Sequence, residues 1–158
     1  MGRSGVRRGM LVLVGAVSLA SCATMEPPPT LYERLRLRDQ TGVPQWGRAA
    51  IALVVDDFVA NVVADGRINA RFKALPPTAV AKLKSNLSDQ ICEAAGGPCS
   101  YLGRDMKATH KGMNITDAEW NATVEGLVKA LDKNKVPAKE KGELLGALGP
   151  MKKDIVGQ

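Results

Sequence analysis

The sequence predicts an all-α protein in which about five or six helices enclose one core. In several segments the apolar residues recur at intervals of three and four, which is the period of a helix with one buried face. Alternating runs of Val, Thr and aromatic residues, which would predict strands, are absent. The chain has only two residues each of Trp, Tyr and Phe, so its core is mainly aliphatic. Its 158 residues are enough for a single domain.

The first 21 residues differ from the rest in composition. Three arginines precede an apolar run at residues 10–20. That run is too short to cross a hydrocarbon core, which needs about 20 residues, and it therefore predicts a signal peptide. The sequence LASC follows and ends in Cys22. It resembles the bacterial lipobox, in which the cysteine is acylated and becomes the first residue of the mature chain.

This reading divides the chain into a lipoprotein signal peptide at residues 1–21, a Pro-rich tether at residues 22–30 and a helical domain at residues 31–158. Acylation of Cys22 would hold the domain at a membrane, because stable anchoring takes two or more acyl chains. The predicted location is the bacterial cell envelope, facing the periplasm. The outer membrane is favoured, since Ala23 stands where aspartate is the usual inner-membrane retention signal. The alternative is ordinary secretory cleavage beside an incidental cysteine.

The charge pattern argues against nucleic-acid binding. The formal charge of +6 falls to about +3 once the three arginines of the signal peptide are removed. The lysines are scattered over several predicted helices and form no continuous basic stripe. We therefore expect solvated lysine side chains and no nucleic-acid partner.

Two further cysteines, Cys92 and Cys99, lie seven positions apart in what would be an oxidising compartment. Cys92 is predicted in the last turn of a helix and Cys99 in the loop behind the GGP sequence at residues 96–98. The bend at GGP would allow a disulfide between them. The alternative is two separate thiols, with Cys92 facing the core as a small apolar residue.

Start and stop signals bound the predicted helices. A short first helix covers residues 31–35, and the sequence RLRDQTGVPQW separates it from a second helix at residues 48–64. A connector that contains Phe72 and two prolines leads to Thr78, the predicted N-cap of a third helix at residues 79–95. Two glycines then end that helix.

The later helices begin with equally clear signals. Thr116 and Glu119 fit a capping box, in which each side chain bonds the backbone N–H of the other residue. The last helix is predicted to begin near Pro137, because proline suits a first turn. Pro150, which follows a glycine, is expected to kink that helix.

Residues 96–116, GGPCSYLGRDMKATHKGMNIT, contain the most informative motif, and His110 at its centre is the only histidine of the chain. On residue type alone, a histidine flanked by lysines is more often a solvated surface residue than a ligand. Here GGP begins a loop that carries Tyr101 and Met106. A short predicted helix then carries His110 and ends at Gly112. This order resembles the proximal haem-binding segment of the group I truncated haemoglobins. The resemblance covers roughly residues 30–156.

The resemblance implies an abbreviated globin fold with helices packed around a haem pocket. The implied cofactor is haem b, with His110 as the axial iron ligand through its Nε2 atom. The other ring N–H is expected to donate to a carbonyl, which would fix the tautomer and the ring angle. The sequence does not identify that carbonyl.

The resemblance also implies further haem contacts. They are Phe72 at the corner between two helices, Met106 and Ile115 on the proximal side, Trp120 where the family usually has a phenylalanine, and Tyr101 and Lys82 near the propionate edge. Core packing is the alternative for Met106, Ile115 and Trp120, and a solvated side chain is the alternative for Lys82.

The opposite, distal face departs from the family. Group I members commonly carry a tyrosine in the second helix and a glutamine in the third, which hydrogen-bond dioxygen. The matching positions here are Val59 and Leu87, with Leu83 beside them. A hydrogen bond to a charged group is worth about 1.5 to 3 kcal/mol, so its loss would speed oxygen release by roughly ten- to a hundredfold. Carbon monoxide and nitric oxide depend less on such a donor.

The sequence thus predicts an envelope-tethered globin that reversibly binds O2, NO or CO at a five-coordinate haem iron with an apolar distal pocket. We expect a ligand-binding protein more than an enzyme. Nitric-oxide dioxygenase activity would require bound oxygen and a reductant, and peroxidase-like activity usually requires a distal acid-base residue. The redox partner is unknown. The alternative of a different class is a haem-free helical envelope lipoprotein that acts by protein–protein contact.

Overall fold

The structure is a computed structural model that describes residues 1–2 and 26–158, so the predicted signal peptide and Cys22 lie outside the described residues. Within this part, the predicted all-α class is confirmed, with one small hairpin in addition. The elements in chain order are α1 (Leu31–Arg34), β1 (Arg36–Arg38), β2 (Pro44–Trp46), α2 (Gly47–Ala64), a 3₁₀ turn (Asn69–Arg71), α3 (Pro77–Ala94), α4 (Met106–His110), α5 (Asp117–Lys133), α6 (Ala138–Leu148) and a second 3₁₀ turn (Gly149–Asp154).

Helix α2 is the centre of the core and packs against both α3 and α5. Its valines favour strands on propensity alone, but the helical spacing of its apolar residues and their burial decide the outcome. The Asn61 amide donates to the Gly126 carbonyl at 2.9 Å, which joins α2 to α5 across their interface. The buried residues of α2 are Gly47, Ala50, Ile51, Val54, Val55, Phe58, Val59 and Val62.

The inserted sequence RLRDQTGVPQW forms an antiparallel hairpin, which the sequence did not predict. Arg36 lies opposite Trp46, and Arg38 lies opposite Pro44. Between the two arginines, Leu37 is only 5% exposed and fixes the hairpin to the core. The Asp39 carboxylate accepts hydrogen bonds from turn residues, which lowers its pKa. Strands of three residues are too short for an alternating pattern to be recognised.

The ring of Tyr32 fastens α1 to the rest of the domain. It lies between Gly47 and Gly97, and a Cβ atom added at either glycine would approach ring atoms to 2.5 Å. The Tyr32 N–H donates to the carbonyl of Ala95 at 2.9 Å. Only glycine at positions 47 and 97 leaves room for this ring.

The structure joins Cys92 and Cys99 by a disulfide, with Cα atoms 5.8 Å apart. Cys92 lies in the last turns of α3 and is fully buried, while Cys99 lies in the loop that follows. The bond therefore holds the GGP bend against the end of α3.

The helix termini confirm one predicted cap and correct another. Both hydrogen bonds of the predicted capping box at Thr116 and Glu119 are present. The prediction of Thr78 as an N-cap was wrong, because α3 begins earlier, at Pro77, with Pro76 as its N-cap residue. Proline suits the first helical position, since its φ is already fixed and its missing N–H would have no partner there.

The C-terminal region also differs in detail from the sequence prediction. Instead of one kinked helix, α6 ends at Leu148 and a 3₁₀ turn covers Gly149–Asp154. Pro150 cannot donate to the preceding turn and its ring clashes with an α-helical carbonyl, which accounts for the change. In the described part of the chain, no helix combines the length and the apolarity that crossing a bilayer requires.

Candidate functional site

Helix α4 has only five residues, but side chains of its own segment hold it at both ends. The Asp105 carboxylate accepts from the Ala108 N–H at 2.8 Å and so caps the first turn. The Arg104 guanidinium donates to the Ala108 carbonyl at 2.8 Å, and the Thr109 hydroxyl donates to the Arg104 carbonyl at 3.2 Å. The turn that carries His110 is therefore fixed by local contacts.

His110 ends α4, is half-buried, and has its Nδ1 atom 2.7 Å from the Met106 carbonyl oxygen. A carbonyl oxygen can only accept, so Nδ1 carries the proton and donates. In the neutral imidazole the lone pair then lies on Nε2, the atom that would bind a metal. The sequence predicted that a carbonyl would fix this tautomer, and the structure identifies it as that of Met106.

One face of α3 is directed at the histidine turn. Leu83, Leu87 and Gln90 are spaced so that they share this face. The Gln90 amide nitrogen lies 3.3 Å from the Met106 sulfur and 3.7 Å from the Met151 sulfur. Gln90 thus faces the helix that carries His110, and Leu83 and Leu87 lie on the same side of α3. Gln90 was not predicted from the sequence, although its spacing of three from Leu87 places both residues on one side of α3.

An ion pair connects the segments that carry the two predicted aromatic contacts. The Arg71 Nε atom donates to the Glu119 carboxylate at 2.7 Å. This bond and those from Thr116 lower the pKa of Glu119 to about 2. Phe72 directly follows Arg71, and Trp120 directly follows Glu119; both aromatic side chains are half-buried. The pair therefore holds the Phe72 corner beside the first turn of α5.

Residues near Gln158 form backbone hydrogen bonds with the loop that follows His110. Ile115 forms a parallel bridge with Val156, and its carbonyl accepts from the Gly157 N–H at 2.9 Å. The Asn114 N–H donates to the Gln158 carbonyl at 2.7 Å. This places Ile115, a half-buried predicted proximal contact, between α4 and α5.

The predicted distal residues carry no hydrogen-bond donor in their side chains. Val59 on α2 is only 3% exposed, whereas Leu83 and Leu87 are half-buried on α3. Beside them, the ammonium of Lys84 lies 2.9 Å from the Asp56 carboxylate and is held on the outer side of α2 and α3.

Tyr101 and Lys82 are the predicted propionate-edge residues. The Tyr101 hydroxyl donates to the Arg104 carbonyl at 2.8 Å, so this hydrogen bond lies within its own loop. Burial, with a contribution from Asp105, raises the pKa of Tyr101. Lys82 is exposed on α3. Their position at a cofactor edge stays a prediction.

These features together define the class of protein. Haem requires a neutral imidazole on one side of the iron and an apolar slot for the ring. His110 in its fixed tautomer offers the ring nitrogen, and half-buried apolar side chains on α3, α4 and α5 are of the type that lines a haem crevice. The fold and the site are those of a helical haem protein.

Comparison with known proteins identifies the family. The sequence model of the bacterial-like globins matches residues 45–156. The chain belongs to this family and is related to the group 1 truncated haemoglobins, as the resemblance of residues 96–120 predicted. Truncated globins bind haem, so the predicted cofactor is that of the family.

The relatives include two proteins of similar length. The group 1 truncated haemoglobin GlbN of Mycolicibacterium paratuberculosis is 30% identical over 81% of this chain and 85% of its own length. The group 1 truncated haemoglobin of Tetrahymena thermophila is 30% identical over 85% of this chain and its whole length.

Two solved structures have the same fold. The 2/2 haemoglobin of Synechococcus sp. PCC 7002, in the cyanomet state and with covalently attached haem, has a TM-score of 0.69 at 29% identity; the match covers 82% of this chain and 100% of that chain. The Fe(III) truncated haemoglobin of Tetrahymena pyriformis has a TM-score of 0.68 at 28% identity, with the same coverage of both chains.

Proposed function

We propose that this protein is an envelope-tethered globin that reversibly binds diatomic gases at the iron of haem b, with His110 as the protein ligand. The hydrogen bond from His110 Nδ1 to the Met106 carbonyl is the observation that carries the proposal. It orients the imidazole and selects the tautomer of the neutral ring in which the lone pair is on Nε2, without any contribution from a cofactor.

The haem would supply the iron whose remaining coordination position takes a gas molecule. The chain supplies the surroundings. Met106 and Ile115 would contact the ring on the histidine side, while Phe72 and Trp120 would contact it from the corner beside α5. All four side chains are half-buried, as expected of residues that line a crevice.

The distal side chains support weak oxygen binding. Val59, Leu83 and Leu87 exclude water and offer no donor, so a polar ligand gains no hydrogen bond from them. Carbon monoxide and nitric oxide depend less on a donor, and we expect them to bind well. The same lack of a donor argues against nitric-oxide dioxygenation, which needs oxygen held near the iron.

The proposed location depends on the sequence alone. Residues 1–21 have the composition of a signal peptide, and Cys22 ends a sequence that resembles a lipobox. Acylation there would place the globin domain at the periplasmic side of a membrane, with the prolines of residues 27–29 as a spacer.

An absorption spectrum of the purified full chain tests the haem proposal. We expect a Soret band in the oxidised protein that shifts on reduction and again on addition of carbon monoxide. Protein that takes up no haem during reconstitution would contradict the proposal and leave the alternative, a haem-free helical lipoprotein that acts by protein contact.

A second experiment tests the tether. Mass spectrometry of the chain isolated from bacterial membranes should show a mature protein that begins at an acylated Cys22. Recovery of an unacylated chain in the soluble periplasmic fraction would contradict the tether and leave the haem proposal intact.

A further inference from the structure

The β1–β2 hairpin has one outward face of unusual composition. The side chains of a strand alternate between its two faces, and β1 shows an exposed, buried, exposed pattern in which Leu37 alone faces the core. The pairing register places Arg36 opposite Trp46 and Arg38 opposite Pro44. Two arginines, a tryptophan and a proline therefore share the face that points away from the domain.

The two arginines on this face differ from their neighbours. Arg34 and Arg48 are paired with carboxylates of α6 and α3. Within the described residues, no carboxylate lies within 4.0 Å of the guanidinium of Arg36 or Arg38. Arg38 donates to the Gly42 carbonyl of its own turn at 2.7 Å, its one hydrogen bond to the part of the chain that the structure describes. Both positive charges are therefore free to meet an anionic surface.

The apolar residues of the hairpin are also exposed. Trp46 is 58% exposed and Val43, in the turn, is 52% exposed. Trp46 and Arg36 border an open groove of about 590 Å³. An amphipathic indole next to arginines is typical of residues at the boundary between water and lipid headgroups.

A second copy of the chain fits this face less well. Open strand edges favour pairing between copies, but here Pro44 removes a backbone donor from β2 and charged side chains line β1. In a symmetric dimer contact, the two arginines of one copy would also face the two arginines of the other copy. The charge on the face instead complements an anionic bilayer.

The hairpin lies close in sequence to the predicted anchor. Residues 22–30 separate Cys22 from α1, and β1 begins six residues after Thr30. Even a fully extended tether spans at most about 30 Å, so the lipid holds the hairpin near the membrane surface. We infer that the outward face of the hairpin docks on anionic phospholipid headgroups and fixes the orientation of the globin domain. This inference rests on the proposed lipid anchor.

Docking of this kind needs little binding energy. Each arginine near an anionic membrane strengthens binding by about fivefold. The anchor makes docking an intramolecular step at a high effective concentration of lipid, so weak contacts suffice. Without the anchor the same face would bind membranes only weakly.

Fluorescence quenching by brominated lipids tests the inference. The full acylated chain is reconstituted into vesicles of phosphatidylethanolamine with a quarter brominated phosphatidylglycerol. We expect quenching of Trp46, measured as the difference between the natural chain and Trp46→Phe. The double variant Arg36→Gln/Arg38→Gln should lower the ratio of docked to undocked protein by about 25-fold, because each arginine contributes about fivefold. The matched control Lys107→Gln/Lys153→Gln removes two exposed charges outside the hairpin and should leave the ratio unchanged.

Three outcomes would overturn the inference. If Cys22 is acylated but Trp46 is not quenched, or is quenched equally by brominated phosphatidylcholine, the docking idea fails and the tether stands. A Trp46 emission already shifted to the blue in detergent, together with a dimer in sedimentation, would assign the face to a second copy. An unacylated Cys22 would remove both the tether and the docking, while the spectrum with carbon monoxide would still decide the haem proposal separately.

Discussion

The two sides of the candidate haem site are built in different ways. The proximal side, from Arg104 to Thr116, is held by directional hydrogen bonds to backbone atoms, including the bond from His110 to Met106. The predicted distal side consists of Val59, Leu83 and Leu87, whose side chains carry no hydrogen-bond donor. Hydrogen bonds fix angles, whereas apolar packing fixes mainly volume.

This difference separates two properties of the protein. The proximal side determines whether haem is held, since it supplies the oriented imidazole. In the proposed function, the distal side would determine which gas is held and for how long, because a donor there would favour oxygen. Changes on one side should therefore leave the property set by the other side largely intact.

Loss of the imidazole should have the largest effect. We expect His110→Gly to lose the Soret band of the reconstituted protein, because the imidazole is the proposed protein ligand of the iron. Imidazole added to the buffer should restore the band, which a merely unfolded variant would not do. Lys111→Ala, an exposed neighbour, serves as the control. Full haem retention by His110→Gly without imidazole would contradict the proximal assignment.

A donor introduced on the distal side should alter oxygen release alone. We expect Leu87→Gln to slow oxygen dissociation by roughly ten- to a hundredfold, through one hydrogen bond of about 1.5 to 3 kcal/mol. Leu87→Met has a similar volume without a donor and should behave like the natural chain. The measurement is stopped-flow replacement of oxygen by carbon monoxide. An already slow release in the natural chain would show that a donor exists elsewhere.

The disulfide should matter for stability more than for ligand binding. Removing it in Cys92→Ala/Cys99→Ala should lower the free energy of unfolding by about 2.5 kcal/mol, the chain-entropy estimate for so short a loop. Urea unfolding followed by circular dichroism gives this value. A reductant should destabilise the natural chain similarly and leave the double variant unchanged. A variant as stable as the natural chain would show that the GGP bend needs no covalent support.

The smallest effect is expected from pH. The pKa of Glu119 falls from an ordinary 4.5 to about 2 in the folded chain. A lowered folded pKa means that the contribution of Glu119 to stability is present above pH 4.5 and is lost as the pH falls towards 2. Because the ion pair with Arg71 is partly exposed, we expect less than about 1 kcal/mol. Urea unfolding above pH 4.5 and again near pH 2 measures this contribution. Between the two pH values, the free energy of unfolding should fall less in Glu119→Gln than in Glu93→Gln.

The sequence predicted the fold well where signals are local. The apolar period of residues 48–64 and the capping box at Thr116 depend on neighbours in sequence, and both appear in the structure. The His-x-Gly motif likewise led to the family. The N-cap prediction at Thr78 was wrong because threonine and proline are both common at helix starts. Here Pro77 takes the first helical position.

The missed features depend on distant partners. The hairpin forms because Leu37 finds a buried place against α2, which no local pattern announces. Gln90 was overlooked because its partners, Met106 and Met151, lie 16 and 61 residues away in sequence. The carbonyl that fixes His110 is a different case, because Met106 is only four residues away and the contact requires residues 106–110 to be helical.

The packing of the Tyr32 ring between Gly47 and Gly97 affects how the domain would respond to a pulling force. Force pulling on residues 26–30 would reach α1 first and would be borne by this wedged ring and by the ion pairs of Arg34 with Glu140 and Glu143. The turn that carries His110 takes its supports from its own segment. Force on the amino-terminal end would therefore displace α1 before it disturbed His110, the proposed iron ligand.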